Sequence, residues 1–100
     1  MSLPVVFRGL AESEVHEIQA WYEARQPGLG ARFSASLDLV VRLIAEHPLA
    51  CAVAHREARR ALVPGFPYAV FYVVLPDRIR VLACLHQRRG PAAVQERLTR

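Results

Sequence analysis

The sequence predicts a small α+β domain in which a helical hairpin packs on a mainly antiparallel β-sheet. Two segments in the first half space their apolar residues at three- and four-residue steps, as amphipathic helices do, and a Pro- and Gly-containing turn separates them. Three segments in the second half are rich in β-branched and aromatic residues, which favours strands. With a short strand pattern at the start, the predicted order is βααβββ. A single domain over residues 1–100 is expected, because 53% hydrophobic content suffices for one modest core.

The first strand is expected over Leu3–Arg8, a short β-branched and aromatic run that ends before a glycine. A helix should follow from Ala11 to Arg25, and a second helix should run from the break at Pro27–Gly30 to the stop at Pro48. The apolar stripes of the two helices are Val15, Ile18, Trp21 and Tyr22, then Phe33, Leu37, Val40 and Ile44. Because the link is so short, the two helices should form an antiparallel hairpin.

Three strands are expected after the hairpin: Glu57–Val63, Tyr68–Leu75 and Arg78–His86. The run Tyr68–Leu75 is apolar on both faces, which is typical of a central strand that is covered on both sides. The strand Arg78–His86 alternates, so one face should meet the core while the other is partly charged. A short last helix is expected over Pro91–Leu98, since proline is favoured at the first helical position.

Arginine supplies every strongly basic side chain, with thirteen Arg and no Lys, a net charge of +4 and a pI of about 9.8. The planar guanidinium pairs bidentately with carboxylates and phosphates, so an acidic protein or a nucleic acid is the expected partner. No apolar run approaches the roughly 18 residues of a membrane span, and residues 1–10 lack the build of a signal peptide. The expected location is therefore the cytoplasm, without a membrane partner. Cys51 and Cys84 are interpreted as free thiols buried like small apolar residues.

Two arginine pairs are candidate contacts for an antitoxin or target: Arg59-Arg60 at the start of one strand and Arg88-Arg89 after the last strand. Arg59 and Arg60 lie at the start of a strand and must point to opposite faces, so that only Arg59 shares a face with Glu57. A surface ion pair with Glu57 and a contact to a phosphate or partner are the two readings of this segment. Arg78 and Arg80 on the last strand are further candidates for partner contacts.

The segment His86–Gly90 follows the last strand and places an imidazole beside Arg88 and Arg89. Such a group can bind phosphate, and in RNA cleavage it would transfer a proton while arginine stabilises the charge on the scissile phosphate. The alternative is a histidine that caps the strand end beside two solvated arginines.

Two further patterns have mainly structural explanations. Zinc accepts the spacing of His47, Cys51 and His55 only if the helix is continuous, and Pro48 breaks it, so neither a metal site nor a cofactor is expected. The aromatic side chains would be able to stack on bases, although core packing explains most of them better. These aromatic residues are Trp21, Tyr22, Phe66, Tyr68, Phe71 and Tyr72.

Taken in order, several short motifs resemble the RelE/ParE superfamily of bacterial toxin–antitoxin modules, on its ParE-like, plasmid-stabilisation side. The matching pieces run from about Ala11 to Pro91. They are Trp21-Tyr22-Glu23, Pro27-Gly28-Leu29-Gly30, Arg32-Phe33, Ile44-Ala45-Glu46-His47-Pro48, Arg59-Arg60, Phe66-Pro67-Tyr68, Phe71-Tyr72 and His86-Gln87-Arg88-Arg89. The resemblance implies the same βααβββ fold. It also implies a cognate antitoxin, whose acidic, amphipathic C-terminal segment wraps over the toxin and silences it.

The superfamily contains two activities on one fold. ParE-like members inhibit DNA gyrase, whereas RelE-like members cut mRNA on the ribosome, in which case Arg60, His86 and Arg89 would be the catalytic candidates. The cutters usually have an arginine where this chain has Ala69, and often a tyrosine where it has Gln87. The expected activity is therefore inhibition of gyrase, with ribosome-dependent mRNA cleavage as the alternative.

Overall fold

The computed structural model describes residues 2–89 and 91–99 of the chain. Its elements are β1 (Val5–Phe7), α1 (Gly9–Arg25), α2 (Leu29–Glu46), β2 (Val53–His55), β3 (Ala58–Leu62), β4 (Tyr68–Val74), β5 (Ile79–His86) and α3 (Pro91–Leu98). They form one five-stranded sheet in the order β1-β5-β4-β3-β2. The predicted α+β class is confirmed, with the helical hairpin, the mainly antiparallel sheet and the short last helix. None of the helices in the described residues is long and apolar enough to cross a membrane.

Strand β4 occupies the middle of the sheet, as its apolar run predicts. It pairs antiparallel with β3 on one side and β5 on the other, while β1 pairs parallel with β5. The register shifts between Phe71 and Tyr72, which lie opposite Ala83 and Val81. The extra residue in β5 is Leu82, which therefore faces the same side of the sheet as Ala83.

Strand β2 is absent from the predicted order. It has only three residues, pairs irregularly with β3 and occupies the edge of the sheet. A run this short gives no period-2 signal, so only its tertiary partner defines it. The bounds of the other elements differ by a few residues: β1 is shorter than predicted and α1 begins at Gly9 instead of Ala11.

The two helices of the hairpin approach closely at Gly30. A Cβ added to Gly30 would lie 2.8 Å from the carbonyl oxygen of Gln19 and 2.9 Å from Oε1 of Glu23. The Glu23 carboxylate accepts hydrogen bonds from the backbone N–H groups of Gly28 and Gly30, both at 3.0 Å. Gly28 has a φ of 90°, which favours glycine. The Pro-Gly turn thus closes the hairpin through backbone geometry and one carboxylate.

The sheet has a core on each face. The hairpin covers the first face, with Phe33, Val40 and Ile44 of α2 packed on Val70, Tyr72 and Val81. Helix α3 covers the second face through Val94, over a floor that includes Phe71, Leu82 and Leu85. Because helices cover both faces of the sheet, each arginine on a strand emerges either on the hairpin side or on the α3 side.

The aromatic residues follow the core interpretation, with one exception. Tyr72 is fully buried, Phe71 is buried, and Tyr22, Phe66 and Tyr68 pack against the first core. Trp21 remains 51% exposed, with the guanidinium carbon of Arg25 4.2 Å from its ring centre. Helical spacing placed Trp21 on the apolar stripe, but its position on the flank of α1 leaves one side of the ring in solvent. Cys84 is buried, whereas Cys51 is only half-buried.

Candidate functional site

Arg59 is held by the backbone that follows α2. Its Nη1 donates to the carbonyl oxygens of Cys51 at 2.6 Å and Leu49 at 3.3 Å. The proposed surface ion pair with Glu57 is absent, since the ion pairs within the described residues are Arg78–Asp77 and Arg97–Glu14. The reason is that Glu57 lies in the turn before β3, beyond the strand alternation that would align it with Arg59.

Arg60 emerges on the second face of the sheet. It lies opposite Phe71, whose side chain belongs to the α3 side. Arg60 and Arg89 both border a cavity of about 160 Å³ that also contacts His55 and Val94. Neither guanidinium has a hydrogen-bond or ion-pair partner within residues 2–89 and 91–99. Two like charges on one cavity without a carboxylate between them favour the binding of an anion.

His86 lies on the other face of the sheet. It is opposite Tyr68 in the β4–β5 register, and the two ring centres are 5.5 Å apart. Its Nδ1 accepts a hydrogen bond from the backbone N–H of Arg88 at 3.1 Å, which places the proton of the neutral ring on Nε2. His86 borders a different cavity, of about 240 Å³, together with Glu17 and Arg89.

The three residues of the ribonuclease hypothesis therefore do not share one cavity. Arg60 and His86 face opposite sides of the sheet, and only Arg89 borders both cavities. A proton-transfer group must lie within hydrogen-bond reach of the reacting group that an arginine stabilises. Arg60 and His86 therefore do not approach one phosphate from the same face of the sheet.

The remaining candidate arginines lie apart from one another. Arg78 is half-exposed and pairs with Asp77 at 3.0 Å, at the turn that precedes β5. Arg80 lies within β5, and its Nε is buried without a hydrogen-bond partner in the described part of the chain. Arg88 and Arg89 are exposed beyond the far end of β5. A strand of eight residues is about 25 Å long, and this length separates them from Arg78. A partner that contacts both ends must be extended.

The two histidines of the zinc hypothesis have structural roles. His47 caps the C-terminus of α2, and Nε2 of His55 makes a 2.6 Å hydrogen bond with Oε1 of Gln95. Within residues 2–89 and 91–99, no group of three or more His, Cys, Asp or Glu side chains can hold a metal ion.

Sequence reasoning missed the contact that attaches α3. Arg97 donates to both carboxylate oxygens of Glu14, at 3.0 and 2.8 Å, and also to the carbonyl oxygen of Leu82 at 3.0 Å. Its hydrogen bond to Glu14 raises the pKa of Arg97. The partners are 83 residues apart, and nothing in the local pattern of either segment indicates the pairing.

Comparison with known proteins is consistent with this geometry. The family model described as "ParE toxin of type II toxin-antitoxin system, parDE" matches residues 5–91. A solved structure, described as the chromosomal ParDE TA system from P. aeruginosa, superposes with a TM-score of 0.73 at 11% identity, covering 85% of this chain and 96% of that one. A search of curated protein sequences finds no match. Because the family model spans most of the chain, from β1 to the first residue of α3, the chain belongs to the ParE toxin family of type II toxin–antitoxin systems.

Proposed function

We propose that this toxin inhibits DNA gyrase in the cytoplasm and that a cognate antitoxin neutralises it through an acidic, amphipathic C-terminal segment. The observation that carries the proposal is the separation of Arg60 and His86 on opposite faces of the sheet. A binding mechanism tolerates this separation, whereas acid–base cleavage of RNA does not. Family membership supports the antitoxin as the first partner.

The arginines explain how an acidic segment would be recognised. Arg60 and Arg89 have no partner in the described residues, and Arg88 is exposed beside them. Carboxylates of the antitoxin would supply the missing counter-charges, and charge complementarity would speed encounter and fix the register of the complex. In the resting complex these guanidinium groups would therefore be paired, and loss of the antitoxin would free them for the target.

The absence of two cleavage groups also supports inhibition over hydrolysis. Ala69 is buried in β4 and Gln87 is exposed after β5, at the positions where RNA-cutting relatives usually have arginine and often have tyrosine. Acid–base and electrostatic contributions are each worth a factor of about 100 or more in rate. A chain that lacks both would be a poor ribonuclease.

One induction experiment separates the two activities. The chain is expressed without its antitoxin, and plasmid supercoiling and bulk translation are followed separately. Inhibition of gyrase should reduce negative supercoiling before translation declines and leave transcripts uncut. Early arrest of translation with cleaved transcripts would instead establish the ribonuclease alternative, and normal growth would contradict both toxin activities. Purified protein added to a gyrase supercoiling reaction provides the matching test in vitro.

A further inference from the structure

A groove runs between β1 and the helical hairpin, and none of the arginines among the described residues lines it. Its volume is about 530 Å³, more than twice the 240 Å³ of the cavity beside His86. The apolar lining comes from β1, α1 and α2, through Val5, Phe7, Val15, Leu37 and Val41. Apolar surface left open in this way is typical of a binding groove.

Two carboxylates stand on the rim of this groove, Glu12 from α1 and Asp38 from α2. Both side chains are exposed, and neither forms a hydrogen bond or ion pair within the described residues. Arg42 follows Asp38 by one helical turn, yet the two do not pair there. The chain has a net charge of +4, whereas the charged groups that line this groove in the described residues are acidic, so the sign of the charge is locally reversed.

We propose that this groove, called the β1 groove, binds a segment of the antitoxin that carries a basic side chain beside an apolar one. The apolar side chain would occupy the floor between Val15 and Val41. The basic group would lie between Glu12 and Asp38, with its aliphatic stem along the apolar wall. His16 lines the same groove, and an imidazole nitrogen can accept a further hydrogen bond from the basic group.

The inference rests on the proposed function, because it assigns the groove to the same antitoxin. It adds a property that the net charge alone does not suggest: a predominantly acidic antitoxin segment should contain a basic residue flanked by large apolar residues. Acidic groups of the partner would face Arg60 and Arg89, and basic groups would face the β1 groove. A reversed alignment would place like charges together, so the two surfaces would jointly fix the direction of the bound segment.

The test uses the full-length toxin in complex with its antitoxin. Glu12→Gln and Asp38→Asn remove the two charges at exposed positions, singly and together. Glu46→Gln on α2 and Glu57→Gln in the turn before β3 are controls that each remove one carboxylate, since both side chains are exposed and outside the groove. The double variant should raise the Kd of the complex by about tenfold or more and weaken its salt dependence, whereas each control should stay within about twofold. All variants should keep the wild-type Tm.

Hydrogen exchange gives an independent readout on the wild-type complex. Amides of residues 5–7 and 37–41 should become more protected when the antitoxin binds. The inference fails if the Glu12→Gln, Asp38→Asn double variant binds the antitoxin like the controls and these amides exchange as in the free toxin. In that case Arg60→Gln combined with Arg89→Gln should still weaken the complex. That result would leave the proposed function intact. A wild-type toxin that does not bind the antitoxin would contradict the proposed function itself.

Discussion

Arg97 and Glu14 form a two-point ion pair, with Nη1–Oε1 and Nη2–Oε2 distances of 3.0 and 2.8 Å. Oε1 of Glu14 also accepts the backbone N–H of Cys84 at 3.1 Å, and Nη1 of Arg97 also donates to the carbonyl oxygen of Leu82 at 3.0 Å. Pairing of β1 with β5 ends at Val81, so these side chains take over where the neighbouring strand stops. One ion pair therefore caps a sheet edge and attaches α3 to α1.

Removing the arginine of this pair should destabilise the protein. In Arg97→Met, the Glu14 carboxylate, which is only 19% exposed, loses its counter-charge, and the carbonyl oxygen of Leu82 loses a donor. We expect the free energy of unfolding to fall by about 1 to 3 kcal/mol in urea denaturation. Arg42→Met, at an exposed position on α2, is the control and should change it by less than about 0.5 kcal/mol. Equal losses in both variants would show that the ion pair contributes nothing specific.

The helical hairpin should not accept a side chain at Gly30. In Gly30→Ala the new methyl group meets the backbone oxygen of Gln19 at 2.8 Å, so the helices must separate or the turn must shift. The expected loss is about 1 to 3 kcal/mol in the free energy of unfolding. Gly9→Ala is the matched control, because its added Cβ meets no atom of another element within 4 Å in the described residues and alanine favours the helix. The idea is wrong if Gly30→Ala unfolds at the same urea concentration as Gly9→Ala.

Because Cys84 is buried, the free energy of unfolding should depend on pH in the alkaline range. Desolvation, with the nearby Glu14 carboxylate, raises the pKa of Cys84 from 9.0 to about 12. Its protonated thiol is favoured by folding, so the contribution to stability is complete below pH 9 and is lost as the pH rises towards 12. Over that range the free energy of unfolding should fall by up to about 1.4 kcal/mol per pH unit.

The measurement is urea denaturation at several pH values between 8 and 11, with wild type and Cys84→Ala in parallel. The two proteins differ only at residue 84, so the difference between the two curves isolates the thiol. It should shrink steadily as the pH rises. A difference that stays constant over this range would mean that the buried thiol does not resist ionisation.

The fold was largely predictable because its strongest signals are local. The stripe from Phe33 to Ile44 identifies α2, and the doubly apolar run from Tyr68 identifies the centre of the sheet. The edge strand β2 was not predictable, since three residues carry no periodicity and depend on Arg59 and Ala58 for pairing. Sequence periodicity therefore identifies elements that bury a continuous face. It does not identify a strand such as β2, which forms only by pairing with its neighbour.

The candidate site was predictable in composition but not in geometry. Strand parity separates Arg59 from Arg60, yet it does not reveal that Arg59 binds the carbonyl oxygen of Cys51. Nor does it show that Arg60 and His86 emerge on opposite faces, because that depends on the bulge and register between β4 and β5. The β1 groove joins residues from three elements, so no single segment of the sequence indicates it.

His86→Ala should retain toxicity if the chain acts by binding. The imidazole contacts Tyr68 and the backbone of Arg88, and it lies on the opposite face of the sheet from Arg60. Growth arrest on induction should match that of wild type, with equal amounts of soluble protein as the control. A general acid or base contributes about 100-fold or more to a rate. Abolished toxicity in a folded variant would therefore argue for RNA cleavage.

The neighbouring residues Arg59 and Arg60 should have different roles, Arg59 in the stability of the fold and Arg60 in binding of the antitoxin. Arg59→Gln loses two hydrogen bonds to backbone carbonyls, so the free energy of unfolding should fall by about 1 to 2 kcal/mol. Arg60→Gln loses no side-chain hydrogen bond or ion pair within the described residues, so stability should change by less than about 0.5 kcal/mol. Antitoxin affinity should respond in the opposite order, with Arg60→Gln weakening the complex most at low salt.

Urea denaturation of the free toxin and calorimetric titration with the antitoxin measure the two effects of this arginine pair independently. The comparison is well matched, because the residues are adjacent, carry the same charge and undergo the same substitution. If net charge alone governed binding, both variants would lose the same affinity. If Arg60 and Arg89 present a specific anion site, only Arg60→Gln among the two should lower affinity without lowering stability. An affinity loss confined to Arg59→Gln would mean that the acidic groups of the antitoxin contact Arg59, on the hairpin side of the sheet, and not Arg60.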